Sequence, residues 1–379
     1  MIKLIKNIKV YDPEDIGIKD ILITDGVIYK VEENIEAADY VEVIDGSGLI
    51  ATPGFIDQHV HLIGGGGEGG FTTRVPEIQL TDLTRGGITT VVGLLGTDVY
   101  TRSVENLLAK TKSLNEEGIT AYCLTGGYKY PSITLTESVE KDLTFIKEVI
   151  GLKLAISDHR SSQVTYEELK RLASQVRLSS MMSGKKGYIH LHLGRDDESI
   201  DLLFKLIENT SLPIAMFRPT HVHKIIDDAI KFAKLGGMID FTVSLRESSI
   251  NELLEAIRSC PKDSITISSD GNGSMPKWNE KNEMIGMGVS STLNILRLVK
   301  HLINDQHHPP QDILRLCTIN TAKSIGHYPR KGCIKEHSDA DINIFTEDFT
   351  LKHVMAKGKW MIKDHEIVKY GTFERSNHE

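Results

Sequence analysis

The sequence predicts an α/β protein: a (β/α)8 TIM barrel joined to a small β-sandwich domain built from the N- and C-terminal segments. Three observations carry this expectation. Between Phe55 and Asp270, eight apolar, β-branched runs alternate with amphipathic stretches. The runs are nearly continuous in apolarity, as strands buried on both faces are. Both chain ends instead carry short alternating segments broken by turn signals. A doubly wound open sheet is the alternative, because periodicity does not show closure, yet no Gly-x-Gly-x-x-Gly follows the first strand to support a dinucleotide fold.

The chain begins Met1-Ile2-Lys3-Leu4-Ile5-Lys6-Asn7-Ile8-Lys9-Val10. This alternation suits a strand and lacks the continuous apolar core of a signal peptide. Turn signals follow at Tyr11-Asp12-Pro13-Glu14-Asp15, Thr24-Asp25-Gly26 and Ile44-Asp45-Gly46-Ser47-Gly48, so residues 1–50 read as a small antiparallel sheet. The barrel strands are expected at 55–61, 88–96, 119–125, 152–157, 187–193, 212–219, 238–244 and 264–269. Helical patterns lie between them, such as Ser103–Glu117, Glu137–Val149, Tyr166–Met181 and Asp196–Glu208. The tail returns to strands at Asp341–Phe345, Val354–Lys359 and Glu366–Val368, which pair with the N-terminal segments into one layer. The expected domains are 1–52 with 335–379, and 53–334.

Of the 379 residues, 44 are Lys or Arg and 52 Asp or Glu, a formal net charge of −8. No basic block is present, which argues against a nucleic-acid partner. Cys123, Cys260, Cys317 and Cys333 are scattered and form no Cys-x-x-Cys, as expected of free thiols in a reducing compartment. No run approaches the roughly 18 apolar residues of a membrane span. The expectation is a cytoplasmic protein.

Chemistry enters where strands end, the functional face of a barrel. Strand one ends in His59-Val60-His61; strand alternation puts both imidazoles on one side, about 7 Å apart along the chain. The fourth strand carries Lys153. The fifth ends Ile189-His190-Leu191-His192, the sixth Thr220-His221-Val222-His223, and the eighth Ser268-Ser269-Asp270-Gly271-Asn272-Gly273-Ser274. Each has an ordinary reading alone: a structural histidine, a snorkelling lysine, a capping aspartate. Together, four strands supply His, Lys and Asp to one cavity, a donor set that suits two divalent ions. A lysine ammonium repels metals. It belongs only if burial and nearby cations lower its pKa so that the neutral amine can be modified.

These residues identify the chain as resembling the amidohydrolase superfamily and, within it, the isoaspartyl (β-aspartyl) dipeptidase family. The marks are Gly54-Phe55-Ile56-Asp57-Gln58-His59-Val60-His61 running into Gly64-Gly65-Gly66-Gly67-Glu68, Gly96-Thr97-Asp98, Ser157-Asp158-His159-Arg160, Pro219-Thr220-His221-Val222 and Asp270-Gly271-Asn272-Gly273-Ser274. The likeness runs nearly end to end, to Lys357-Gly358-Lys359. It implies a metallopeptidase in which His59, His61 and Asp270 hold one zinc and His192 and His221 a second. It also implies that Lys153 is carboxylated by CO2 into a bridging carbamate. On spacing alone His190 and His223 are equally eligible, so leaving them out rests on the resemblance.

The same resemblance makes Asp270 the catalytic acid–base and Tyr128 the donor to the developing oxyanion. Glu68 is expected to hold the substrate α-amino group and Arg160 its carboxylate, with Gly66, Gly67, Thr97 and Ser274 as neutral contacts. The four-glycine run is expected to let backbone approach the ligand closely. One departure stands out: the family places an arginine where this chain has Lys224, which keeps the charge and loses the planar fork. The expected partner is a small dipeptide, and a homo-oligomer is implied by the family. The rivals are a cyclic-amide hydrolase of dihydroorotase or hydantoinase type, and a non-catalytic scaffold that kept the fold.

Overall fold

The computed structural model describes residues 2–194, 200–279 and 284–374. The N-terminal segment forms β1 (Lys3–Asp12), β2 (Glu14–Thr24), β3 (Val27–Glu32), β4 (Glu42–Asp45) and β5 (Ile50–Pro53). β1, β2 and β3 make an antiparallel meander. Asp25 and Gly26 both take positive φ at its second turn, the two-residue hairpin geometry that Asp-Gly favours. β4 and β5 run parallel to β1, so the layer is mixed and not purely antiparallel as its turn signals imply. The reason is the connection 33–41, which returns the chain to the end where β1 starts.

Eight parallel strands follow: β6 (Phe55–Val60), β7 (Ile88–Gly93), β8 (Thr120–Gly126), β9 (Val149–Ile156), β10 (Ile189–Leu193), β11 (Phe217–Thr220), β12 (Ile239–Thr242) and β13 (Ile265–Ser268). Each pairs with the next in sequence order. β6 meets the end of β13 through a parallel bridge between Val60 and Gly271, where the His61 N–H donates to the Gly271 carbonyl at 2.9 Å. That contact closes the barrel. A hairpin of β14 (Ser274–Trp278) and β15 (Met284–Val289) rises after β13. The tail gives β16 (Ile342–Phe345), β17 (Leu351–Ala356), β18 (Lys359–Lys363) and β19 (Glu366–Ile367). β16 pairs with β5, joining both chain ends into one strand-rich sheet.

Helices Val104–Glu117, Val139–Phe145 and Tyr166–Ser183 begin at Ser103, Ser138 and Thr165, whose hydroxyls accept the third N–H of each helix. The helix expected from residue 196 is described as Asp201–Asn209; residues 196–199 lie outside the described residues. No helix among the described residues is long and apolar enough to cross a membrane.

Every residue of β6 and β9 is buried, which accounts for their apolar runs. The inward positions are nonetheless polar. Asp240 on β12 accepts from Gln58 Nε2 (2.7 Å), Thr220 Oγ1 (2.8 Å), Thr266 Oγ1 (2.8 Å) and Ser268 Oγ (2.6 Å), knitting four strands beneath the strand ends. Buried polar groups satisfied in this way hold the strands in register.

One half-buried and one buried imidazole outside the strand ends set an acid limit on stability. His327 stacks on Tyr122 of β8 at 4.2 Å, and buried His353 lies tilted against Trp360 at 5.4 Å while accepting the Asp364 N–H at 3.0 Å. Burial takes both down from 6.5 to about 4. The unfolded chain binds these protons below pH 6.5 and the native chain only below about 4. Stability is therefore complete above 6.5 and falls as pH drops through that window. Thermal denaturation across pH 4–7 should show the fall, and His327→Phe should remove on the order of 1–2 kcal/mol of it. An unchanged slope in the variant would exclude His327 as a contributor.

Candidate active site and metal centre

β6 delivers His59 and His61 to the barrel mouth, and Asp270 follows β13 with φ 51°, a left-handed turn that swings its carboxylate back over the strand ends. The Nε2 atoms of His59 and His61 approach the same Asp270 oxygen, at 3.2 and 3.1 Å. His221, also at positive φ (65°), brings its ring to 5.3 Å from His59 and 4.5 Å from His192. One donor atom from each of His59, His221 and Asp270 fits within 4.8 Å, a group able to hold a metal ion. The five expected His and Asp ligands thus converge.

Lys153 is fully buried, and its Nζ finds no hydrogen-bond partner among the described residues. Burial brings it from 10.5 to about 7. The shift at His59, down to about 3, comes first from burial and next from the Lys153 charge. That charge also depresses His192 and His221, so the lysine lies among the histidines. At Asp270 burial pushes the carboxyl up, but the imidazole of His59 and its hydrogen bonds outweigh this and hold it well below the usual range.

Two of the far ring nitrogens have holders, whereas His61 Nδ1 is buried with no hydrogen-bond partner among the described residues. His192 Nε2 faces Asp158 Oδ2 at 2.9 Å, and His221 Nδ1 faces Thr242 Oγ1 at 2.6 Å. Such outer partners fix which nitrogen is free to ligate. His192 Nδ1 meets Tyr128 Oη at 2.6 Å, and burial raises the Tyr128 phenol well above 10. His223 points away from the cluster, bonded to Glu252 (3.2 Å) and the Thr242 carbonyl (2.7 Å). His190 lies behind His59, its Nε2 2.9 Å from His59 Nδ1.

A second cluster stands beside the first. Arg160 grips Asp158 with two bonds of 2.9 and 3.0 Å, and its Nη1 lies 3.5 Å from Glu68. Ser274 donates to one Glu68 oxygen, and Thr97 to the other at 3.4 Å. Arg160 also lies over the Tyr128 ring at 5.5 Å, tying this cluster to the histidines. Lys224 is exposed on the short 3-10 segment Val222–Ile225, one turn past His221.

The glycine run has a structural use besides the one expected. Gly64 and Gly66 have φ of 81° and 83°, and a Cβ on either would collide with the Val75 or Thr73 carbonyl. The glycines therefore let the loop fold on itself. Arg102, which sequence reasoning did not single out, clamps that fold through the carbonyls of Ile63, Gly65 and Val75. Asp158 and Thr242 were also missed as holders of imidazoles; only the Ser-Asp-His-Arg string hinted at the first.

Comparison with known proteins agrees with this geometry. A sequence model of the amidohydrolase family matches residues 50–361. The chain belongs to the amidohydrolase family. A solved β-aspartyl dipeptidase from Fervidobacterium islandicum AW-1, in complex with β-Asp-Leu dipeptide, is 40% identical, with a TM-score of 0.93 and full coverage of both chains. Among curated relatives, the dihydroorotase of Staphylococcus aureus is 38% identical over 114 residues, 30% of this chain and 26% of that one. Protein unc-33 of Caenorhabditis elegans is 26% identical over 190 residues, 47% of this chain and 20% of that one. The matches thus span about a quarter or less of those two curated relatives. Membership places the chain among hydrolytic enzymes that generally depend on metal, as the His–Asp group suggests.

Proposed function

We propose that this amidohydrolase is a binuclear-zinc dipeptidase that cleaves isoaspartyl (β-aspartyl) dipeptides at the side-chain-linked amide, releasing L-Asp and an amino acid. The observation that carries the reading is the pairing of Glu68 with Arg160 beside the histidine cluster. An aspartate linked through its side chain keeps a free ammonium and a free carboxylate on one carbon. A carboxylate and a guanidinium side by side complement that zwitterion. The full-length likeness to a β-aspartyl dipeptidase supports the same substrate class.

The donor set fits the metals. His59, His61 and Asp270 would hold one zinc and His192 and His221 the other, with carboxylated Lys153 shared between them. The orphaned, buried Lys153 Nζ is the fitting feature: at about 7 a usable fraction is neutral amine, open to CO2. When bound, the two ions supply an activated water at neutral pH and polarise the scissile carbonyl. Asp270 takes the water's proton and passes it to the leaving amine. Tyr128 stays protonated and donates its O–H to the oxygen on which charge develops. Glu68 and Arg160 fix the aspartyl head group, with Gly66, Gly67, Thr97 and Ser274 filling the pocket around it and Lys224 reaching the leaving residue's carboxylate.

Side-by-side assays test the reading. kcat/KM for β-Asp-Leu should exceed that for dihydroorotate or hydantoin by at least about 100-fold. The reverse order would turn the assignment to a cyclic-amide hydrolase. Lys224→Arg should lower KM several-fold for at least some dipeptides by restoring a two-pronged carboxylate contact. An unchanged KM on every dipeptide tested would remove Lys224 from the substrate site.

A further inference from the structure

His190 has no part in the ligand set above, yet it is fully buried among that set. It stands on β10 directly opposite Lys153 of β9, two residues before His192. Its Nε2 lies 2.9 Å from His59 Nδ1, and the rings meet edge-on with centroids 4.8 Å apart. The other face of His59 is committed, since its Nε2 lies 3.2 Å from Asp270 and points into the cluster. A ring that ligates through Nε2 must carry its proton on Nδ1. Among the described residues that proton then has one hydrogen-bonding acceptor, His190 Nε2. His192 and His221 have Asp158 and Thr242 in the corresponding place, while His61 Nδ1 has no partner among the described residues, so His59 belongs with the held rings.

We infer that His190 is a positioning residue: it accepts the His59 Nδ1 proton, fixes that ring's tautomer and aims its Nε2 at the metal. The inference rests on the metal-centre reading above. Acceptance puts the His190 proton on Nδ1, an atom with no hydrogen-bond partner among the described residues. His190, His59 and Asp240 could themselves form a small ligand group, with donor atoms within 4.8 Å. The positioning role is favoured because His59 cannot offer Nδ1 to a second ion while its proton holds Nε2 available to the first. Asp240 is moreover already engaged by Gln58, Thr220, Thr266 and Ser268.

Two near-isosteric substitutions separate hydrogen bonding from packing. The glutamine side chain in His190→Gln places a carbonyl oxygen close to where Nε2 sits, whereas His190→Met fills similar space with no comparable acceptor. Zinc affinity of the folded full-length proteins is measured by competition with a chromophoric chelator, with thermal denaturation as the fold control. His190→Met should bind zinc about 10–100-fold more weakly, and His190→Gln should stay within about threefold of the parent. Equal affinity in parent and His190→Met, or equal loss in both variants, overturns the positioning role. Three zinc ions in the parent and two in both variants would make His190 a ligand and overturn it as well. A parent that binds no zinc refutes the metal-centre reading itself, and so is told apart from these outcomes.

Discussion

Lys153→Ala is expected to lower kcat/KM by at least about a thousandfold, some 4 kcal/mol of transition-state stabilisation. The lysine is wholly buried, has no hydrogen-bond partner among the described residues and lies close to His59, His192 and His221. As an ammonium it would repel any ion held there; as a carbamate it would be an anion shared by two ions. Alanine removes that anion and leaves a gap, so zinc content should fall with activity. A small carboxylic acid such as acetate or propionate fits the gap and carries the missing charge. It should therefore restore part of the activity in a concentration-dependent manner. Full activity in Lys153→Ala, with zinc retained, would refute the bridging role. Loss without any rescue would point to collapse of the cavity.

Asp270→Asn should cost roughly 10³–10⁴-fold in kcat, combining loss of a proton acceptor with loss of an anionic ligand. Asp270 is held well below the usual carboxylate range, since the imidazole of His59 and its hydrogen bonds outweigh the burial that alone would raise it. Its place where two Nε2 atoms meet makes it the hub of the cluster. Because the amide keeps the shape, thermal stability measured without metal should change little. Substrate KM should also hold within a few-fold, since Glu68 and Arg160 are untouched. A variant retaining more than about a tenth of parental kcat would exclude Asp270 as the acid–base group.

Much of this site is legible in the chain because its spacing is local. The alternation of a strand puts His59 and His61 on one side, and in the structure both rings reach one carboxylate oxygen. Lys153, His192 and Asp270 follow from knowing where strands run and end. The Glu68–Arg160 pair is also foreshadowed, since both residues follow barrel strands and the barrel gathers such loops on one face. The holders behind the ligands are a different matter. His190 meets His59 across 131 positions of sequence, Arg102 reaches Ile63 across 39, and Asp158 faces His192 across 34. Those contacts are set by how strands are staggered when the barrel closes, which no periodicity within a segment encodes. The mixed character of the strand-rich sheet escapes for the same reason: β1 pairs with β4 and β5 only because of the path taken between them. The glycine loop teaches a third point. Four glycines show that backbone must come close to something; for Gly64 and Gly66 that includes the loop's own return segment, while Gly65 faces Gly273 and Gly67 faces Asp98.

A ring of strands made from one length of chain has a single buckle, where its last strand meets its first. Here the buckle is the short pairing of Val60 and His61 with Gly271, with two histidines on one side of it and Asp270 on the other. An ion held by those three side chains, as proposed above, would fasten the hoop as well as prepare the water. Catalysis and resistance to unfolding would then be tied to one event. A chelator that strips the ion should speed proteolysis at the same concentration at which it silences hydrolysis, because only the closed, native hoop offers all three ligands together.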